Sequence, residues 1–528
     1  MKNGFRQSMA WLHTWSGLSM GWILFAVFLT GTLSFFRQEI TLWMQPELHG
    51  SIASQQAADL AVQHLQRVAP SAESWRIDLP NAREPVINVS WREPGQTQGR
   101  RGGPRHILDA TTGEQLFARD TRGGDFLYRF HFELYALPRN LARAIVGVAT
   151  MFMLVGLISG IVTHKKIFTD FFTFRPKKSQ RSWLDAHAAT AVLALPFHIM
   201  ITFSGLLLVA STLLFWNYEP RGSRGAPEAG SRIIQQVARE TVPVPTLAPL
   251  LAQAQASWNQ PVGRVVIDKP LTSAMAIQVN SLLRQTLTLQ SGGGPGGGTD
   301  VLRFDANGDM LKMREQRADG ASNVQAVSNT FGTLHRGLFA GPLLRWLFFL
   351  SGILGCLMIA TGLVLWCIKR ARNQLGRVGF ELVSALNIAA IAGLSCATAI
   401  YFWANRLIPA HLSQRADWEI NSFFISWGLL ALLAIWQRHK TGWIIQLSLA
   451  AVLFSTIPLL DLLNSEPGVW NRWVESNGIV PVFNGLCLLT GLAFAAAVQY
   501  LLRPQTKSVR ARRSHVTLSM NSQPEVSP

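Results

Sequence analysis

Charge is scarce in this chain. Only 15% of its 528 residues are Asp, Glu, Lys or Arg, against about 25% in ordinary soluble proteins. Acidic residues are the scarcer sign, 30 against 48 basic. Cysteine is nearly absent. Cys356, Cys367, Cys396 and Cys487 all fall inside apolar runs, where they read as packing residues rather than disulfide partners or metal ligands. No Rossmann fingerprint, P-loop or HExxH motif occurs, so a nicotinamide, ATP or zinc-protease site has no support. The first apolar run has no small-residue cleavage site after it. It also exceeds the roughly 7–15 residues of a signal-peptide core, so it reads as a retained span.

What the chain has in quantity is apolar sequence, 48% of the total, gathered in blocks. A bilayer is crossed by about 20 apolar residues. Blocks at 15–36, 141–162, 192–215, 343–368, 380–402, 422–436, 443–463 and 481–502 predict eight spans. Only a short basic turn divides the sixth from the seventh. The net charge of +18 is not spread evenly. Segments 1–14, 164–183, 369–378, 438–441 and 503–528 hold 19 basic and two acidic residues, a net of +17. Excess charge confined to one side of the spans argues against nucleic acid as a partner. It is the positive-inside pattern of a chain in a lipid bilayer, with both termini cytoplasmic.

Two long polar stretches lie on the other side. Each opens with a helix-like segment, ASQQAADLAVQHLQRV in the first and SRIIQQVARE or LAPLLAQAQASW in the second. Each continues in strand-like alternation and closes on a similar turn, LDATTGEQL (108–116) and FDANGDML (304–311). Asp, Asn and Gly there supply hairpin turn chemistry. SGGGPGGG (291–298) is a flexible loop tip, too repetitive for a phosphate loop. The spans repeat as well. HTWSGLSMGWILFAVFLTG and HAATAVLALPFHIMITFSG both place His eighteen residues before a Gly. FHFELYALPRNLARAIVG…SG and LHRGLFAGPLLRWLFFLSG…TG correspond in the same way.

The expected fold is therefore a mainly α-helical membrane protein of about eight transmembrane helices. Two inserted α+β domains and a pseudo-twofold repeat of span–domain–span complete it. The layout is span 1 in 1–40, a first outer domain in 41–135, and spans 2 and 3 with a basic loop in 136–216. A second outer domain follows in 217–335, span 4 in 336–370, a four-span extension in 371–503 and a disordered basic tail in 504–528.

Histidine placement carries the chemistry. His13 and His187 start spans 1 and 3 on the basic side, and His164 ends span 2 there. His131 and His335 precede the outer ends of spans 2 and 4. His198 lies inside span 3, eleven residues after His187, about 16 Å along a straight helix. Strongly polar side chains are costly in lipid and mark pathways or cofactors. Neutral imidazole is a good axial ligand for haem iron, and a four-helix bundle offers inward histidines on facing helices. Two histidine layers predict two haem b groups in series, carrying electrons across the membrane. His49, His64, His106, His411, His439 and His515 fall in loops or tails and read as solvated. Pairing stays open. Symmetry joins His13 to His187 and His131 to His335. The alternative sets His164 against His187 or His13, and His198 against His131 or His335. Six candidates exceed the four that two bis-histidine haems need. Trp11, Trp15, Trp22, Trp183, Trp216 and Trp346 near span ends read as interfacial anchors. GRRGGPRH (99–106), Arg221 and Arg224 read as solvated basic loops.

The WLHTWSGL…LTG opening, THKKIFTDFFTFRP, SWLDAHAATAVLALPFHIMITFSGL and LHRGL together resemble the PepSY-associated transmembrane helix family over about 1–370. The resemblance implies a haem-binding four-helix core with periplasmic PepSY-type domains in a bacterial inner membrane. It implies reduction of a ferric siderophore, or another ferric chelate, in the periplasm, with iron released because Fe(II) is held more weakly. The motif histidines carry over to His13, His131, His164, His187, His198 and His335. A membrane quinol or a cytoplasmic reductase would donate the electrons. Region 379–502 departs from the shortest members, which leaves room there for a modified partner or electron input. Two other classes fit the same layout: a non-enzymatic binder of a peptide or protease, and a transporter of the chelate. A haem absorption spectrum separates the first class from both.

Overall fold

The computed structural model describes residues 4–50, 56–95, 103–164, 179–213, 242–259, 261–282, 301–311, 323–337, 339–463, 476 and 478–503. The basic loop after His164, the SGGGPGGG stretch, Arg221, Arg224, Trp216, His515 and the tail lie outside them.

Fourteen helices are described: α1 (Phe5–Ser34), α2 (Arg37–Met44), α3 (Ala57–Val68), α4 (Gly123–Glu133), α5 (Arg139–Thr163), α6 (Ser179–Leu193), α7 (Leu195–Leu213), α8 (Leu247–Trp258), α9 (Asn323–Arg336), α10 (Pro342–Gln374), α11 (Val378–Leu407), α12 (Arg415–Trp436), α13 (His439–Leu463) and α14 (Ile479–Leu502). Seven of these (α1, α5, α10, α11, α12, α13 and α14) are long and apolar enough to cross a membrane. The pair α6 and α7 makes an eighth if counted as one span. The chain is a multi-pass membrane protein. Large apolar side chains along these helices are exposed, among them Leu432, Leu489 and Val452.

The third span differs from expectation. It is not one straight helix over 192–215 but two helices meeting at 69° around Ala194. Pro196 explains the break. It has no N–H to donate to the carbonyl four residues back, and its ring crowds that carbonyl. The straight-helix offset of His198 from His187 therefore does not hold. The sixth and seventh spans are separate helices, joined through Gln437 and Arg438.

The extension is fastened to the rest by buried polar groups. Small residues along α11 (Ala385, Ala389, Ala392, Ala397) let neighbouring backbones approach closely. Trp22 Nε1 donates to Asn387 Oδ1 at 2.8 Å, and Asn387 Nδ2 donates to the Leu363 carbonyl at 3.1 Å. Near the other end Arg406 pairs with Asp461 at 2.8 Å and donates to the Trp43 carbonyl at 2.7 Å. Arg415 and Glu419 form an ion pair with no solvent exposure. Charges this deep survive only when paired and hydrogen-bonded.

Eight strands form one antiparallel sheet: β1 (Ser74–Asp78), β2 (Ile87–Arg92), β3 (Arg105–Leu108), β4 (Gln115–Leu116), β5 (Val262–Asp268), β6 (Ala276–Ser281), β7 (Val301–Phe304) and β8 (Met310–Leu311). The order is β4-β3-β2-β1-β5-β6-β7-β8. The two polar segments are thus not separate bodies. They share a sheet through β1 and β5, with Trp75 opposite Ile267 and Ile77 opposite Val265. Alternate residues of these strands face one side, where Trp75, Ile77, Val265 and Ile267 pack with α3 and α8. The two turns expected from sequence form as hairpin ends. Asp109 Oδ1 accepts from the Thr111 and Thr112 amides, and Asp305 Oδ1 accepts from the Asn307 and Asp309 amides. Glu39 of α2, bound by Arg83 at 2.7 Å and Arg345 at 3.2 Å, ties the sheet unit to α10.

Candidate functional site

The helices bring four histidines together in two pairs. His13 of α1 and His187 of α6 have ring centres 6.1 Å apart. His131 of α4 and His335 of α9 also lie 6.1 Å apart. His13 and Gly31, the glycine His131 touches, are eighteen residues apart on α1. That is about 27 Å of helix, so the pairs stand toward opposite ends of the bundle.

Each ring is held by the same local device. His13 leans on Gly160, His187 on Gly362, His131 on Gly31 and His335 on Gly205. A Cβ at these glycines would come within 3.1, 3.0, 2.6 and 3.0 Å of the respective ring. Glycine is thus the residue that leaves room for the imidazole against the helix backbone. The carbonyl four residues before the glycine, on the same helix face, then becomes the acceptor. His13 Nδ1 donates to Gly156, His187 Nδ1 to Met358 and His131 Nδ1 to Val27, at 2.8, 2.8 and 2.7 Å. His335 Nδ1 lies 3.0 Å from Ser204 Oγ.

The residue before each glycine is a hydroxyl: Thr30, Ser159, Ser204 and Thr361. Each donates to its own i−4 carbonyl at 2.6–2.7 Å. This back-bond satisfies a polar group that lipid would not. A carbonyl can only accept, so Nδ1 carries the proton and Nε2 keeps its lone pair. Among the described residues no hydrogen bond occupies Nε2 of any of the four.

The pairs fit a metal held between two imidazoles. Two imidazoles holding one metal ion between them, each by a nitrogen bond of about 2 Å, would have ring centres about 6 Å apart. The observed spacing is 6.1 Å in both pairs. Two side chains do not complete a coordination sphere, and no group of three or more His, Cys, Asp or Glu occurs among the described residues. His13 with His187 and His131 with His335 are the residues that would hold a haem, two imidazoles to each.

His164 and His198 join neither pair among the described residues. His164 caps the C terminus of α5 and is half-buried. His198 has no solvent exposure and sits 6.2 Å from Phe28. Neither of its ring nitrogens finds a hydrogen-bond partner among the described residues. The Ala191 and Ser351 carbonyls lie near the ring but outside hydrogen-bond geometry.

Of the histidines read as solvated, His64 is buried, His49 and His106 are half-buried, and His439 is exposed. His64 is buried on α3, its Nε2 3.0 Å from Nδ1 of His106 on β3. Burial, then His106 and Arg67, hold the His64 imidazole below its ordinary pKa. His64 borders an open cavity of about 460 Å³ that Arg67 and Glu114 also line. His439 meets Glu381 at 2.9 Å. Only the pairing of helical and strand faces, invisible from one segment alone, could have revealed these contacts. The four cysteines are free, and three of them are buried.

The family model described as PepSY-associated TM region matches residues 10–369. An uncharacterized protein of Pseudomonas aeruginosa is 23% identical over 335 residues, covering 59% of this chain and 79% of that relative. The matched stretch contains both histidine pairs and all four glycines and spans well over half the chain. The chain therefore belongs to the PepSY-associated TM region family.

Proposed function

From that membership, we propose that the chain is a transmembrane electron carrier. His13 with His187 and His131 with His335 each ligate one haem b. The chain sits in a bacterial inner membrane, its basic segments cytoplasmic and its sheet, a fused pair of PepSY-like units, periplasmic. Electrons pass outward to a ferric siderophore or another ferric chelate, and iron leaves as Fe(II). The observation that carries this reading is the fourfold device: two ring pairs at ligand spacing, each imidazole with Nδ1 engaged and Nε2 free.

Bound haem supplies reversible one-electron storage at each level. The chain's own residues do the rest. The carbonyls of Gly156, Met358 and Val27, and the Ser204 hydroxyl at His335, fix the ring orientation and raise the basicity of each Nε2. The glycines let the rings lie close against the neighbouring helix backbone. The hydroxyls before them keep the helix backbone satisfied without competing for Nε2.

The test is purified protein in sealed vesicles, sheet side outward, with reductant inside and a ferric chelate plus a ferrous-specific dye outside. Dye colour that requires both histidine pairs supports the reading. A haem-loaded protein that never colours the dye would remove the ferric substrate from the account. A folded protein without haem would remove the electron-carrier role and favour a partner-binding role for the sheet.

A further inference from the structure

The joining of β1 to β5 gives the sheet a second face that neither polar segment has alone. Trp75, Ile77, Val265 and Ile267 pack toward α3 and α8. Alternate residues point the other way, among them Arg76, Asp78, Arg264 and Val266. Strand register carries that face onward. Val266 stands opposite Arg76 on one side and Gln278 on the other, and Gln278 stands opposite Arg303. Arg264 lies in the next row, opposite Asp78 and Asn280. Three strand spacings separate Arg76 from Arg303, about 14 Å.

The result is a shallow, open trough. Val266, Gln278 and Asn280 form its floor, each half-buried, and arginines stand at both sides. Its charge is not balanced. Arg76 and Arg264 share one carboxylate, Asp78, and their own side chains stay 49% and 41% exposed. Arg303 is exposed, and its side chain has no partner among the described residues. Asp268, the other strand acid on this face, is offset by the exposed Arg105 of β3. Every base in the trough is arginine, whose planar fork grips a carboxylate through two parallel N–H donors.

We propose that this trough binds an anionic, carboxylate-bearing ferric complex, an assignment that rests on the ferric-chelate reading above and names its substrate class. One carboxylate takes the Arg303 fork. A second, on the opposite edge of the complex, meets Arg76 and Arg264, which Asp78 alone does not neutralise. Gln278, which donates to Asn280 at 3.1 Å, holds the polar floor between them. A neutral chelate gains none of this charge pairing. Arg76 comes from the first polar segment, and Arg264 and Arg303 come from the second, so the trough exists only where β1 meets β5.

The test is equilibrium dialysis of the purified full-length protein against ferric citrate, with a neutral ferric tris-hydroxamate as the comparison ligand. The wild type should hold ferric citrate at least tenfold more tightly than the neutral complex, and the preference should shrink as salt rises. Arg264→Gln and Arg303→Gln should each weaken ferric citrate about tenfold, with the neutral complex and the melting temperature unchanged. Arg303→Lys should recover only part of the loss, because it restores the charge without the fork. Arg67→Gln, on α3 across the sheet, should bind as the wild type does. Equal binding of both complexes by the wild type, or wild-type affinity when Arg264→Gln and Arg303→Gln are combined, overturns the site. Glycerol phosphate, a soluble stand-in for a lipid headgroup, is the other probe. If it binds through Arg264 and Arg303 while ferric citrate does not, the trough serves headgroups and the proposal falls. Arginine-dependent ferric citrate binding by a protein that never reduces the iron upholds the site and overturns the electron-carrier reading instead.

Discussion

Gly31→Ala probes the outer pair with one methyl group. A Cβ there would stand 2.6 Å from the His131 ring, where ordinary contact begins near 3.4 Å. The ring must retreat by about 0.8 Å, which stretches its 2.7 Å bond to the Val27 carbonyl to the limit of a hydrogen bond. Overpacking of this kind costs about 1–3 kcal/mol, and the lost hydrogen bond adds about 0.5–1.5 kcal/mol. A combined cost of about 2–4 kcal/mol weakens retention of the outer cofactor roughly 30- to 1000-fold. Haem per chain, measured as the pyridine adduct together with a potentiometric titration, reads the effect. The variant should fall toward one haem per chain and keep the inner one at its original potential. Gly17→Ala is the control, since nothing lies within 4 Å of its Cβ position. If Gly31→Ala and Gly17→Ala give the same two haems at the same potentials, the cradle argument is wrong.

Other perturbations test other parts of the account. His198→Ala should keep both haems, because His198 pairs with no other histidine ring among the described residues; loss of one in the spectrum would return it to the ligand set. Asp461→Ala leaves Arg406 buried without its carboxylate and should cost about 3–5 kcal/mol, read as a large drop in the melting temperature in detergent. Asp461→Ala with Arg406→Met should recover much of that loss. His64 has a folded pKa below its unfolded value, so the unfolded chain binds its proton first as pH falls. The stability this provides is fully present above the ordinary histidine value near pH 6.5 and declines below it. Sheet melting followed by tryptophan fluorescence should therefore show a weaker acid dependence in His64→Gln. Equal pH dependence in both proteins would contradict the assignment.

Hydropathy and charge made most of the membrane architecture legible, because burial in lipid demands long apolar runs and the flanking bases are not diluted by acids. The candidate pairs were legible through spacing. The sequence repeats a histidine, then a hydroxyl and a glycine, and Thr30-Gly31, Ser159-Gly160, Ser204-Gly205 and Thr361-Gly362 receive the rings. Which rings meet was not legible, since His164 and His198 also lie within or at the ends of spans and one-dimensional spacing does not fix which helix faces meet. Pro196 carried the local signal for the bend at Ala194, but apolar continuity across it masked the consequence. The joining of β1 to β5 left no signal either. Edge pairing uses backbone groups that every residue has, so Trp75 opposite Ile267 follows only from the folded chain. His64 and His106 were misplaced for the same reason, because each finds its partner on a distant element.

The most direct measurement is the haem stoichiometry and low-temperature spin state of the purified chain and of His13→Ala, His187→Ala, His131→Ala and His335→Ala. The account predicts two low-spin bis-imidazole b haems per chain. His13→Ala and His187→Ala should remove one and the same haem, and His131→Ala and His335→Ala the other. A folded colourless protein, or haem loss that follows His164 or His198 instead, would contradict it.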